Sequence, residues 1–97
     1  MLYNKDFDFL VKSIGLKIKR LDKAIEEADE KIRRDLDIII FETQVKSKKG
    51  RINLSPEAYE KYAEYIKKIY VKALQNSKDK LVELKEQLEL ARESAEI

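Results

Sequence analysis

The sequence predicts an all-α protein of one domain: a long, coiled-coil-like antiparallel helical hairpin that dimerises into a four-helix bundle. Three observations predict it. Apolar residues recur at steps of three and four through both halves of the chain. One polar break separates the two halves. The 97 residues are 41% charged and include only two Gly and one Pro, a composition typical of long helices.

The first helix is predicted over about residues 4–45. Its apolar positions continue beyond Ile32 with a shift of phase, through Ile39 or Ile40 to Thr43. At 1.5 Å per residue, such a helix would be roughly 60 Å long. Gly15 costs about 1 kcal/mol relative to Ala in a helix, so a kink there stays open. The first apolar row is Phe7, Val11, Ile14, Ile18, Leu21, Ile25, Ala28 and Ile32.

A basic turn is predicted over about residues 46–55, and the second helix over about residues 56–95. The turn contains Gly50 and leads to Ser55, which suits an N-cap, and to Pro56, which suits the first helical position. Residues 76–79 could interrupt this second helix. Its apolar or small positions are Tyr59, Ala63, Ile66, Tyr70, Ala73, Leu74, Ser77, Leu81, Leu84, Leu88, Ala91 and Ala95. The aromatic set Tyr59, Tyr62, Tyr65 and Tyr70 is expected to be half-buried core at helical spacing, with a place at an interface as the alternative.

A short β-hairpin at the turn is the alternative to two uninterrupted helices. Residues 37–45 are rich in β-branched and aromatic side chains, and residues 51–54 could pair with them across a Lys-Gly turn. The helical interpretation is preferred, because residues 37–45 continue the preceding apolar pattern.

Charge supports antiparallel pairing of the two helices. In a hairpin that turns near Gly50, the basic residues 12–23 lie beside the acidic residues 79–96. The acidic residues 26–37 likewise lie beside the basic residues 67–72. Each exposed ion pair contributes only about 0.2–1 kcal/mol, so this pattern indicates orientation more than stability.

The composition argues against an enzyme and against a bound cofactor. The chain has no Cys, His or Trp, which excludes disulfides, thiolate or imidazole metal ligands, and Cys or His catalysis within it. Its acids alternate with Lys and Arg along predicted outer faces and do not converge. No signal-peptide pattern is expected at the N-terminus, and a cytoplasmic protein is predicted. Richness in Lys, Glu, Ile and Tyr is typical of proteins from hot environments.

Two surfaces are candidates for contacts with partners. Leu2, Phe9 and Leu16 are spaced by seven and share a helical face nearly opposite the first apolar row, which predicts self-association. The same oligomer interface is expected to include the heptad positions Leu74, Leu81 and Leu88. The turn carries the densest positive charge in the chain and could contact an anionic partner through Lys46, Lys48, Lys49 and Arg51.

These patterns predict a non-catalytic adaptor or interaction module that forms a homo-oligomer, with a dimer favoured. A nucleic-acid-associated protein that uses the basic turn is one alternative. Two helices joined by a β-hairpin over residues 38–54 would resemble the β-type prefoldin subunit, which implies a small chaperone as another. In size and heptad pattern, the chain is also similar to the helical-hairpin adaptor proteins of small viral and plasmid genomes, which dimerise into four-helix bundles.

Overall fold

The computed structural model describes residues 4–46 and 53–95. These residues form three α-helices: α1 (Asn4–Glu26), α2 (Ala28–Lys46) and α3 (Pro56–Ala95). No strand occurs among the described residues, so the predicted all-α class is confirmed for this part of the chain. Within the same residues, no helix combines the length and the apolar character needed to cross a bilayer.

The helix predicted over residues 4–45 is divided into α1 and α2 at Glu27. The apolar row does not reveal this interruption, because Ile25, Ala28 and Ile32 keep their helical spacing across it. Gly15, where a kink was left open, lies within α1. A Cβ atom added at Gly15 would meet no atom within 4 Å, so no neighbour requires glycine there.

The β-hairpin alternative does not match its first predicted arm, because residues 37–45 belong to α2. The Thr43 hydroxyl donates a hydrogen bond to the Ile39 carbonyl at 2.7 Å, a contact between successive turns of a helix. The prefoldin-like layout, which needs that arm as a strand, loses its support. Arg51 and Ile52 of the second arm lie outside the described residues, as does Gly50.

The α3 helix begins at Pro56, as the sequence predicts, and continues without interruption through residues 76–79 to Ala95. The Ser55 hydroxyl accepts a hydrogen bond from the Ala58 N–H at 3.1 Å. The Ser55 carbonyl accepts another from the Tyr59 N–H at 3.0 Å. Ser55 is therefore the N-cap that satisfies backbone donors of the first turn.

The described helices pack into two units. The terminal unit comprises Met1–Ile25 and Ala73–Ile97, and the central unit comprises Glu26–Lys72. Each unit therefore contains one of the first two helices and one part of α3, and each is described below by itself.

In the terminal unit, α1 and the later part of α3 run antiparallel. Asp8 pairs with Arg92 at 3.1 Å, and Asp22 pairs with Lys78 at 2.6 Å, so residue numbers rise along one helix as they fall along the other. Phe7 and Ile14 are buried. The Arg92 guanidinium also lies 4.8 Å from the centre of the Phe7 ring, in cation–π geometry.

In the central unit, α2 and the first part of α3 pack through small and aliphatic side chains. Ala28 and Ala63 are 0% and 2% exposed, and Ile32 is also buried. Ile40 is half-buried and Ile39 is exposed, which decides between the two positions that the sequence left open. The covered row of α2 steps by four and consists of Ala28, Ile32, Leu36, Ile40 and Gln44.

The charge blocks predict the antiparallel order within each unit but not most of the described ion pairs. The pair of Asp29 with Lys67 joins an acidic block to a basic one as predicted. Asp22 pairs with Lys78, and Arg33 with Glu60, and in each pair the residue from a predicted block has the charge opposite to that block. Exposed charges interact over short distances because water and salt screen them. The position of each side chain on its helix therefore decides its partner, and the average charge of a block does not.

Candidate interaction surface

A network of ion pairs closes one side of the central unit. The Arg33 guanidinium donates two hydrogen bonds to the Glu60 carboxylate, at 2.7 and 2.9 Å, and one to Asp29 at 3.1 Å. It also approaches Glu64 at 3.4 Å. Lys67 pairs with Asp29 at 3.4 Å. We call this surface the ion flank; it consists of Asp29, Arg33, Glu60, Glu64 and Lys67.

The bidentate hydrogen bond from Arg33 to Glu60 gives the ion flank a defined geometry, because a planar guanidinium matches a carboxylate in only a few orientations. Hydrogen bonds from Arg33 lower the pKa of Asp29 and of Glu60 below their usual values. The same bonds raise the pKa of the Arg33 guanidinium further above its usual value, so it stays charged. Nearby, the Tyr59 hydroxyl donates to Asp37 at 2.8 Å, which raises the pKa of Tyr59.

The lowered carboxyl pKa values predict an acid-dependent contribution to stability. It is complete above the ordinary carboxyl pKa of about 4 and is lost as the pH falls through the lower folded-state values. We expect thermal unfolding to show a smaller loss of melting temperature between pH 6 and pH 2.5 in Arg33→Gln than in the unchanged chain. Arg34→Gln removes the same charge from the adjacent exposed position and should keep the full acid dependence. Equal pH profiles for both variants would contradict this role of Arg33.

Helical geometry shows what lies on the opposite side of the central unit. At about 100° per residue, Glu60 and Glu64 are turned roughly 60–100° to one side of the buried Ala63. On α2, Asp29 and Arg33 are turned by similar angles from the buried Ile32. Because these residues contact one another across the two helices, both turns point toward the same flank.

Exposed apolar side chains occupy the other side of the central unit. Tyr62, Ile66 and Ile69 are turned roughly 60–120° from Ala63 in the direction away from the ion flank. Ile38 and Val45 of α2 are turned away from the ion flank in the same sense. Every one of these five side chains is at least 40% exposed. Together with Tyr65 at its outer edge, this surface is the apolar flank: Ile38, Val45, Tyr62, Tyr65, Ile66 and Ile69.

The apolar flank changes the interpretation of the tyrosines. Tyr59 and Tyr70 are half-buried, as expected from their spacing. Tyr62 and Tyr65 were expected to be half-buried core but are 54% and 67% exposed. The signal was present in the sequence, because Tyr62, Ile66 and Ile69 follow their own helical spacing of four and three. Ile66 was predicted to belong to the row through Ala63 but is 40% exposed. The two rows have the same period, so spacing alone does not separate them.

In the terminal unit, the heptad row of α3 is only partly covered by α1. Leu74, Leu81 and Leu88, which were predicted to form an oligomer interface, are half-buried. The other set of heptad positions on α3, which we call the alternate row, is exposed and consists of Ser77, Leu84 and Ala91. The apolar stripe of α3 is thus wider than its contact with one helix.

Phe9 and Leu16, two of the other predicted interface residues, are 74% and 52% exposed. They lie on α1, away from the row that contains the buried Phe7 and Ile14. Leu2 lies outside the described residues. Beside Phe9 there is an open groove of about 350 Å³, lined by Lys5, Asp6, Asp8, Phe9 and Lys12.

Of the four basic residues predicted to contact an anionic partner, only Lys46 is among the described residues, and it is exposed. Lys48, Lys49 and Arg51 lie outside the described residues, and the anionic contact stays a prediction. Among residues 4–46 and 53–95, no cluster of three or more acidic side chains has the arrangement of a metal site. The side chains that this part of the chain brings together are therefore apolar residues and ion pairs. Comparisons with protein-family models, curated proteins and solved structures found no match for this chain.

Proposed function

We propose that this chain is a non-catalytic protein–protein interaction module, an adaptor that self-associates, most simply as a homodimer. In this proposal, the antiparallel helices of each unit belong to one long hairpin, and two hairpins complete a four-helix bundle. In this proposal, the chain recognises its partner through rows of apolar side chains that have charged side chains on either side. The absence of Cys and His from the whole sequence removes thiolate and imidazole groups as nucleophiles and as metal ligands.

The observation that carries the proposal is the half-covered heptad row of α3. Leu81 and Leu88 are half-buried within the terminal unit, whereas Leu84 of the alternate row is 44% exposed. In a four-helix bundle each helix has two neighbours, so both rows of a wide apolar stripe are covered. A second copy provides the missing neighbours. Phe9 and Leu16 add apolar area on α1.

The mass of the particle tests the proposal. We expect light scattering on a sizing column to give at least twice the monomer mass, and thermal stability to rise with protein concentration. Charged side chains are costly in an apolar contact, so Phe9→Asp with Leu16→Asp should shift the mass toward monomer while the circular dichroism stays helical.

A matched control separates loss of apolar contact from change of charge. Lys12→Gln with Lys19→Gln alters net charge by the same amount at two exposed positions of α1, also spaced by seven. It should leave the mass unchanged. A monomer at every concentration would refute self-association. An unchanged mass for the Phe9 and Leu16 variant would remove these two residues from the interface.

A further inference from the structure

On α3, the residues of the apolar flank are spaced symmetrically about a point between Tyr65 and Ile66. Its positions Tyr62, Tyr65, Ile66 and Ile69 are separated by three, one and three residues. In a twofold interface between identical copies, residue i of one copy meets residue j of the other and j meets i, so a symmetrically spaced row can pair with itself. When two copies of α3 cross antiparallel, Tyr62 of one copy lies against Ile69 of the other.

The exposed area is large enough for a stable contact. The apolar flank includes two tyrosines that are 54% and 67% exposed and four aliphatic side chains that are 40–69% exposed. Together they present on the order of 700 Å², close to the roughly 800 Å² that each partner buries in a typical stable interface. Tyrosine suits such a place, because its ring is apolar and its hydroxyl can remain at the wet edge.

We infer that a second copy of this chain docks on the apolar flank, across a twofold axis that passes α3 between Tyr65 and Ile66. The inference rests on the proposed self-association and gives it a contact surface in the central unit that is separate from the α3 row of the terminal unit. The ion flank explains why this side is used. Its salt bridges already join α2 to α3, and a partner there would have to desolvate paired charges. The ion pair on the apolar-flank side of α2, Lys31 with Asp35, lies within one helix, and a partner that covers Tyr62, Ile66 and Ile69 buries mostly apolar side chains.

Charge placed in the apolar flank is the first test. Tyr62→Glu with Ile69→Glu puts two carboxylates at positions that meet each other across the axis. We expect the dissociation constant of the dimer to rise by about 100-fold or more, measured by sedimentation over a range of concentrations. Lys61→Gln with Lys68→Gln is the control. It changes net charge equally, has the same spacing on the same helix, and should leave the dissociation constant within about threefold.

A cysteine cross-link tests the axis without adding charge. The chain contains no Cys, so Ile66→Cys introduces a single thiol beside the proposed axis. A disulfide needs Cα atoms about 4.4–6.8 Å apart, a distance that only residues near the axis reach across two copies. Mild oxidation should convert Ile66→Cys to a covalent dimer much faster than Lys68→Cys, which is exposed on another side of α3.

The outcomes separate this inference from the proposed function. If the unchanged chain is a dimer, yet Tyr62→Glu with Ile69→Glu keeps its mass and Ile66→Cys cross-links no faster than Lys68→Cys, the apolar flank is not the interface. Self-association would then stand through another surface. If the unchanged chain is a monomer at all concentrations, both fail. A lowered mass with preserved helicity, or selective cross-linking at position 66, supports the docking of a second copy on the apolar flank.

Discussion

Phe7→Ala is expected to lower the free energy of unfolding by about 3–5 kcal/mol, a large part of the stability of a domain of this size. Phe7 is 4% exposed, and its ring lies 4.8 Å below the Arg92 guanidinium. Truncation removes buried aromatic area and leaves a cavity. It also removes the aromatic ring that the Arg92 guanidinium contacts. Urea unfolding followed by circular dichroism, at one fixed protein concentration, measures the loss.

Phe41→Ala is the matched control for this experiment. Phe41 is also a helical phenylalanine, but it is 66% exposed, whereas Phe7 is 4% exposed. Ala has a higher helix propensity than Phe, so this variant should stay within about 0.5 kcal/mol of the unchanged chain. Similar losses at both positions would show that the burial of Phe7 does not support the terminal unit.

Ala63→Leu is expected to destabilise the chain by about 1–3 kcal/mol, although leucine is a good helix former and apolar. Ala63 is 2% exposed, and Ala28 on the facing helix is fully buried. Small side chains at a contact allow two helices to approach closely, and three more carbon atoms must displace the neighbouring helix or strain the side chain. Urea unfolding again measures the effect.

The control for overpacking is Ala73→Leu, the same change at an exposed position of the same helix. It should change the free energy of unfolding by no more than about 0.5 kcal/mol. If Ala63→Leu behaved like Ala73→Leu, the contact around Ala63 would have space that its burial does not indicate. The comparison therefore tests packing apart from helix propensity.

Much of the helical structure could be predicted from local signals. The start of α3 follows from Ser55 and Pro56, because an N-cap hydroxyl and a fixed proline φ are local chemical requirements. The buried positions Phe7 and Ile14 of α1 follow from a period of 3.6 residues, because that period places them on one side of the helix. The break at Glu27 has no comparable signal, since neither Gly nor Pro lies near it.

The sequence by itself determined that this chain forms long amphipathic helices, where α3 begins and which apolar row is buried on α1. Only the tertiary structure decided that Ile40 is covered rather than Ile39, and that Tyr62 and Tyr65 face outward. The physical reason is that periodicity gives the direction of each side chain around its own axis. A wide apolar stripe has two edges of equal period, and only the position of the neighbouring helix selects the edge that is covered.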